Sequence, residues 1–178
     1  MRIISGSYKN RRINFNRLQA RPTTDFAKES LFNLLNNDYD LNEISVLDLF
    51  AGSGNISYEF ASRGSKQITA IENNPKCVSF IKTIKLKLAI NQLEIILSSV
   101  LKYLKKTNNT YDVIFADPPY SYKQEQYNEI LNIVSSTNIL NRNGTLIIEH
   151  SKFITFDNHS WFFVKKKYGS VYFTFFRK

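Results

Sequence analysis

The segment Ala116-Asp117-Pro118-Pro119-Tyr120 places a carboxylate, a proline turn and an aromatic ring directly after an apolar run that predicts a buried strand. Two consecutive prolines fix two φ angles, and each disfavours the helical region for the residue before it. The turn is therefore rigid, with the Pro118 carbonyl directed inward beside the Asp117 carboxylate. Two acceptors can hold both hydrogens of an exocyclic amino group on a nucleobase, while Tyr120 offers a face for stacking.

A second candidate site is the loop Ala51-Gly52-Ser53-Gly54, which follows the predicted strand that ends at Phe50 and precedes a helix. Glycines at the carboxyl end of such a strand allow a ligand to approach the backbone closely. Asp48, just before the loop, would repel a pyrophosphate and attract an ammonium group. The dinucleotide fingerprint requires a third glycine where this chain has Ser57, so a dinucleotide is disfavoured.

Glu72 closes the second predicted strand and is followed by Asn73. An ionised carboxylate there can accept hydrogen bonds from both hydroxyls of a ribose. S-adenosylmethionine fits this set because it carries an ammonium and a sulfonium but no phosphate. The predicted chemistry is transfer of its methyl group to an amino nitrogen held at Asp117.

Alternating strand and helix patterns in the sequence predict which elements carry these candidate residues. The strands are predicted at 45–50, 67–72, 94–97, 112–116 and 145–150, and the helices at 55–63, 75 onward, 100–106 and 125–135. Repeated β-α units predict an α/β fold, a Rossmann-like parallel sheet with helices on both faces. The last segment predicts a hairpin that turns near Tyr168-Gly169-Ser170 and adds an antiparallel edge.

The amino-terminal residues 2–15 predict a short hairpin that turns near Lys9-Asn10, and a helix opens at residues 21–25. We expect one domain over residues 1–178, made of a hairpin extension (1–20) that binds nucleic acid and a catalytic core (21–178).

Charge points to a polyanionic partner. The chain has 24 Lys and Arg against 15 Asp and Glu, a net charge of +9, and the residues before Asp25 include six basic residues and no acid. Arginine forks suit phosphates, so the amino terminus is predicted to contact a nucleic acid. The candidate nucleic-acid contacts, which the resemblance given below assigns to RNA, are Arg2, Tyr8, Lys9, Arg11, Arg12 and Arg17. The lysines at 165–167 could serve either RNA contact or solubility.

Several classes of protein are disfavoured. Cys77 is the one cysteine, so no intrachain disulfide can form. No secretory signal or membrane span is evident, and we expect a cytoplasmic protein that is a monomer. His150 and His159 lack metal-ligand spacing, so no metal site is predicted.

The ordered motifs DLFAGSG, a second-strand Glu and DPPY resemble those of the class I S-adenosylmethionine-dependent amino-methyltransferases. The segments MRIISGSYKNRRI and RPTTDFAKESLFNLL narrow the resemblance to the RsmD family of small-subunit ribosomal RNA guanine-N2 methyltransferases. This resemblance runs almost end to end. It implies a seven-stranded sheet with one antiparallel strand, and methylation of one guanine of 16S rRNA in a 30S subunit or its assembly intermediate.

The resemblance also assigns roles by position. The residues that match the cofactor loop are Asp48, Phe50, Gly52 and Gly54, and Glu72 matches the ribose carboxylate. Residues 117–120 match the catalytic turn. A segment that closes over the methionine end of the cofactor is matched by Arg21, Pro22, Thr23 and Thr24. There are two departures. Ser98-Ser99 stands where such enzymes often have an acidic or amide residue that meets the adenine, so the resemblance leaves Ser99 or a backbone group as the candidate adenine contact. Phe26-Ala27-Lys28 replaces a more arginine-rich helix start.

Three alternatives stay open. An adenine-N6 nucleic-acid methyltransferase would use the same turn, although an acceptor-only Asp117 suits the adjacent donors of guanine better. An NAD-dependent oxidoreductase is disfavoured by Asp48 and Ser57. A non-catalytic rRNA-binding assembly factor is disfavoured by the intact Asp117 and Tyr120.

Glu149, at the end of the fifth strand, is expected to be structural, with contact to the target base as the alternative.

Overall fold

The computed structural model describes residues 1–14, 25–156 and 158–178. Its helices are α1 (Asp25–Asp38), α2 (Asn55–Ser62), α3 (Pro75–Leu88), α4 (Val100–Leu104) and α5 (Gln124–Ser136). Its strands are β1 (Ser45–Asp48), β2 (Gln67–Glu72), β3 (Leu93–Leu97), β4 (Tyr111–Ala116), β5 (Leu140–His150), β6 (Phe162–Tyr168) and β7 (Val171–Arg177). None of the helices in these ranges is long and apolar enough to cross a membrane.

All seven strands form one sheet in the order β3-β2-β1-β4-β5-β7-β6. The first five strands pair in parallel, and β7 runs antiparallel to both β5 and β6. The chain reverses between β6 and β7 at Gly169, which has a φ of 61°. This confirms the predicted Rossmann-like fold with seven strands, one of them antiparallel.

The sheet separates two hydrophobic cores. On one face α1, α2 and α3 pack over residues such as Val46 and Phe115, and the amino-terminal Ile3 and Ile13 join them. On the other face α4 and α5 pack over a second set that includes Leu47. Because successive residues of a strand point to opposite faces, this division fixes which side chains share a face at the carboxyl edge of the sheet.

Some element boundaries differ from the predictions. Strand β1 ends at Asp48 rather than at residue 50, because the chain already turns there toward the glycine loop. Strand β5 begins earlier, at Leu140, which pairs with Tyr111 before a shift in register. Gly64, just after α2, has a left-handed φ of 93°, and Asn74 caps α3 with Pro75 at its start, as these residue types favour.

The amino-terminal segment folds back on itself, but more loosely than the predicted pair of strands. One antiparallel bridge joins Arg2 to Arg12, and the chain turns through Asn10, which has a φ of 65°. The segment is held instead by α2, because the backbone N–H of Ile4 donates to Glu59 Oε2 at 2.9 Å. This segment is therefore attached to the catalytic edge through the helix that follows the glycine loop.

A buried ion pair fixes this attachment. Lys28 of α1 and Glu59 of α2 have fully buried side chains, with Lys28 Nζ 3.3 Å from Glu59 Oε2. Lys28 Nζ also donates to the Arg2 carbonyl at 2.6 Å and to Asn55 Oδ1 at 2.9 Å. Burial lowers the pKa of Lys28, and the Glu59 charge opposes that shift. Lys28, which lies where this chain departs from a more arginine-rich helix start, therefore joins α1, α2 and the amino-terminal segment inside the protein.

We expect Glu59→Gln to lower the free energy of unfolding by about 3–5 kcal/mol, because it leaves the Lys28 charge buried without its counter-ion. Urea denaturation followed by circular dichroism measures the change. Glu43→Gln is the matched control, since Glu43 and Lys66 form an exposed pair at 3.7 Å whose loss costs less than about 1 kcal/mol. Equal effects of the two substitutions would contradict the structural role of the buried pair.

Candidate active site

The carboxyl ends of three neighbouring strands bring three acidic residues together. Asp48 lies opposite Phe115 in the β1–β4 pairing, and Ala116 lies opposite Ile148 in the β4–β5 pairing. Asp48, Asp117 and Glu149 each stand two positions after a residue of the first core, so their side chains share that face of the sheet. Sequence order separates these carboxylates by up to 101 positions, but the register makes them neighbours.

Asp117 lies at the centre of this group. It is half-buried, and burial raises its pKa well above the usual range, with the Glu149 and Asp48 charges raising it further. Pro118 is buried, whereas Pro119 is exposed and Tyr120 has 72% of its surface exposed. The turn thus presents a sheltered carboxylate behind an accessible aromatic ring.

The glycine loop curves above Asp48. Gly52 and Gly54 have φ angles of 52° and 83°, which favour glycine, and Ala51 is buried at the start of the loop. The Ser57 hydroxyl donates to Asp48 Oδ2 at 2.6 Å, so the serine in place of a third glycine anchors this carboxylate. The other oxygen, Oδ1, is buried and has no hydrogen-bond partner among the described residues.

The buried position of Asp48 raises its pKa. Its side chain is 1% exposed, and burial raises its pKa to about 6, with the Ser57 hydrogen bond partly offsetting the rise and the Glu72 charge adding to it. A cation beside Oδ1 would stabilise the ionised form. The geometry therefore offers a buried acceptor to a positively charged group under the loop.

Tyr58 is a residue of this site that the sequence analysis missed. Its ring occupies the space that a side chain on Gly54 would need, since a Cβ built there would lie 2.6 Å from the Tyr58 hydroxyl. That hydroxyl is buried and has no partner among the described residues. Burial and the Asp48 charge both raise its pKa. The spacing in the sequence could have indicated this contact, because Tyr58 follows Gly54 by one helical turn. In the structure the Tyr58 N–H donates to the Gly54 carbonyl.

Glu72 lies at the carboxyl end of β2, two strands from Asp117. Its Oε2 accepts from the Gly52 N–H at 2.8 Å and its Oε1 from the Asn74 N–H at 2.7 Å. These bonds fix the carboxylate against the glycine loop, and each oxygen keeps a further lone pair for a ligand. Asn73 and Ser99 are exposed at the same edge, and Ser99 makes no side-chain cap for α4.

A row of aromatic rings supports the turn from behind. Phe50 meets Tyr122 edge-on at 5.7 Å, Tyr122 meets Tyr127 at 6.2 Å, and Tyr127 meets Phe156 at 6.1 Å. The row connects the glycine loop, the segment after the proline turn, helix α5 and the segment after β5. Each such edge-to-face pair adds about 0.5–1.5 kcal/mol beyond burial.

The predicted RNA contacts lie at different distances from the catalytic edge. Arg2, Lys9, Arg11 and Arg12 are exposed, and Arg2 also pairs with Asp25 at 3.3 Å. Tyr8 is half-buried against the first core, and its N–H donates to Ser62 Oγ at the end of α2. Because α2 is about 12 Å long, Tyr8 lies well away from the catalytic edge, while the bridge between Arg2 and Arg12 lies closer to it.

Two predicted site residues, Thr23 and Arg17, lie outside the described residues, as do Arg21, Pro22 and Thr24. A cavity of about 850 Å³ opens at the amino ends of β1–β3, between Lys66, Lys82 and Asp112. That end of the sheet holds none of the candidate residues, so the cavity is not the active site. Within the described residues, no group of three or more His, Cys, Asp or Glu side chains is arranged to hold a metal ion.

We expect Tyr58→Phe to leave the ligand-free protein as stable as the parent or more stable, by about 1–2 kcal/mol, because it removes a buried hydroxyl without a partner. Tyr111→Phe is the matched control, since the Tyr111 hydroxyl bonds that of Tyr103 at 2.5 Å and its loss destabilises the protein. Thermal and urea unfolding measure both variants. A destabilised Tyr58→Phe protein would contradict this assignment.

Comparison with known proteins agrees with the geometry. A family model described as conserved hypothetical protein 95 matches residues 1–177. The ribosomal RNA small subunit methyltransferase D of Buchnera aphidicola subsp. Baizongia pistaciae is 37% identical over 172 residues, which cover 94% of this chain and 86% of that protein.

Solved structures share the fold. A putative methyltransferase from Escherichia coli has a TM-score of 0.88 at 23% identity, covering 100% of this chain and 97% of its own. A 16S rRNA N2 methyltransferase from Thermus thermophilus, in complex with S-adenosylmethionine and guanosine, has a TM-score of 0.72 at 18% identity, covering 90% of this chain and 45% of its own. On its family model and its curated relative, the chain belongs to the RsmD family of ribosomal RNA small subunit methyltransferases.

Proposed function

We propose that this protein transfers a methyl group from S-adenosylmethionine to the exocyclic N2 amino group of one guanine in 16S rRNA. Its substrate is the 30S subunit or an assembly intermediate, and it acts as a cytoplasmic monomer. The observation that carries the proposal is the juxtaposition of Asp117 and the rigid Pro118 turn with the glycine loop at one edge of the sheet.

The cofactor fits the residues at this edge. When bound, S-adenosylmethionine supplies a methyl carbon made electrophilic by its sulfonium. Asp48 Oδ1, buried and without a partner among the described residues, suits the cofactor ammonium, and the remaining lone pairs of Glu72 suit the ribose hydroxyls. Asn73 and Ser99 are proposed to contact the adenine moiety, and Thr23 the methionine end. A fold neighbour holding this cofactor supports the choice.

Asp117 and the Pro118 carbonyl are proposed to accept the two hydrogens of the target amino group. An amino group on a base is a weak nucleophile because its lone pair is delocalised into the ring. Two acceptors favour a pyramidal nitrogen whose lone pair is available for attack, and the rigid turn supports a reaction distance of about 3–3.5 Å. As the nitrogen gains the methyl group it loses one proton, and Asp117, whose pKa is raised, can accept it.

The base must leave its stack to reach this turn. Tyr120, exposed beside Asp117, is proposed to stack on it, with a contribution of about 1–3 kcal/mol. Arg2, Lys9, Arg11, Arg12 and Arg17 are proposed to contact the rRNA backbone, and Tyr8 an unpaired base further from the site. The name of the Buchnera relative, a small-subunit rRNA methyltransferase, supports this substrate class.

The direct test is the methylation state of 16S rRNA in a strain that lacks the gene. Mass spectrometry of nuclease fragments should show one N2-methylguanine missing, and the methyl group should return when the gene is restored. A lost methyl on adenine instead would overturn the guanine assignment and support the adenine-N6 alternative.

We expect Asp117→Asn to lower the rate of methyl transfer by about 10²-fold and Asp117→Ala by more, because the amino group loses its charged acceptor and the proton its destination. The rate should also fall as pH drops through the raised pKa of Asp117. Transfer of labelled methyl to 30S particles measures both.

Asp112→Asn is the control for this experiment, since Asp112 lies in the same strand but at its opposite end, bonded to Ser45 and Asn141. Its rate of methyl transfer should equal that of the parent once the protein is folded. Full activity of the Asp117→Ala protein would remove Asp117 from the mechanism.

We expect Arg11→Ala/Arg12→Ala to flatten the dependence of RNA affinity on salt, because two exposed phosphate contacts are lost. The slope of log K against log salt should fall in magnitude by about 1.5. Lys82→Ala/Lys87→Ala removes the same charge from exposed positions of α3 and should change the slope less. Identical slopes for both double variants would refute a role of the amino-terminal arginines.

A further inference from the structure

Glu149 is a buried carboxylate at the candidate site to which the proposed mechanism gives no role. It is the penultimate residue of β5 and is 5% exposed. In the sheet it pairs with Phe173 of β7 on one side. On the other side, the pairing of Ala116 with Ile148 brings the next residues, Asp117 and Glu149, to the same level.

The two carboxylates also point the same way. Phe115 and Ile147 belong to the first core, and Asp117 and Glu149 follow each of them by two positions. The charge of Glu149 is felt at Asp117, where it raises the pKa of that group, and at Tyr127 on the adjoining helix. Glu149 therefore lies beside the acceptor that is proposed to hold the target amino group.

The segments that leave β4 and β5 are joined to each other. Gln124, at the start of α5, donates to the Thr155 carbonyl at 2.9 Å and accepts from the Thr155 N–H at 3.0 Å. Each segment also carries an exposed aromatic ring, Tyr120 at 72% and Phe153 at 79%. A half-buried carboxylate, Asp117, and a buried one, Glu149, thus stand at the ends of two strands whose following segments each expose an aromatic ring.

Guanine presents an uninterrupted row of donors on this edge. Its N1–H lies next to the N2 amino group, whereas adenine has an acceptor at N1. If Asp117 and the Pro118 carbonyl hold the amino hydrogens, the N1–H needs a further acceptor alongside. An ionised carboxylate accepts only, so it attracts N1–H and repels the lone pair of an unprotonated N1.

We propose that Glu149 accepts the N1–H of the target guanine and thereby selects guanine over bases that lack this donor. The proposal rests on the proposed function, because it assumes that the N2 amino group is held at Asp117. The carboxylate attracts an N1–H and repels the lone pair of an unprotonated N1, and a polar site that is matched to one substrate donor discriminates strongly against an analogue that lacks it.

The test compares bases that differ at N1. A 16S rRNA fragment is prepared with guanine, 2,6-diaminopurine or 2-aminopurine at the mapped position and is ligated and assembled into particles. Both analogues keep the 2-amino group and lack N1–H, but they differ from each other at position 6. Because both analogues also lack the O6 acceptor of guanine, a shared loss is assigned to N1 only if it becomes smaller when Glu149, the proposed N1 contact, is replaced.

For the parent protein we expect kcat/KM for guanine to exceed that for either analogue by about 10²-fold or more. In Glu149→Gln the side-chain amide can donate to the unprotonated N1, so this preference should fall by at least about tenfold. Glu149→Asp keeps an acceptor and should retain the preference at a lower rate. Glu129→Gln, on the exposed face of α5, should leave both rate and preference unchanged.

Each outcome decides a separate question. Methylation of guanine with an unchanged preference in Glu149→Gln overturns the role of Glu149 and leaves the proposed function intact. A parent protein that methylates the analogues within tenfold of guanine also overturns it, and this arm does not depend on the folding of any variant. No methylation of guanine by the parent overturns the proposed function itself, and with it this inference.

Discussion

The parallel register of β1, β4 and β5 is the constraint on which the catalytic edge depends. It aligns the ends of three strands and gives Asp48, Asp117 and Glu149 the same face. A slip of one residue in either pairing would turn a carboxylate toward the opposite core. The apolar runs of these strands, buried on both faces, stabilise the register because each position already has its own packing partners.

Placing three carboxylates together is costly unless a cation compensates them. Burial and mutual repulsion raise the pKa of Asp117, and burial raises that of Asp48. A ligand with a sulfonium and an ammonium group, but no phosphate, relieves this repulsion where a dinucleotide would increase it. The same charges that destabilise the ligand-free edge are thus suited to the cofactor proposed here, a common compromise between stability and function.

Much of this arrangement could be predicted from sequence, because local patterns encode it. The β-α alternation, the Asn74-Pro75 helix start and the final hairpin all follow from periodicity and turn chemistry. The Lys28–Glu59 pair could not be predicted, since it joins residues 31 positions apart on two helices whose packing no local pattern reveals. The position of Glu149 at the end of the fifth strand allowed contact with the target base as an alternative, but only the sheet register shows that it shares the level and the face of Asp117. Tyr58 was overlooked because an aromatic residue in a helix usually packs in a core.

The lysines of β6 have a consequence for the protein in solution. Strand β6 is the outermost of the sheet, so its unpaired backbone groups could template another chain. Lys165, Lys166 and Lys167 lie along it. Adding a neighbouring strand there would bring a second row of positive charges against the first, and such repulsion opposes edge-to-edge aggregation. This protection operates whether or not the lysines touch RNA, and it matters most while newly made copies are crowded together.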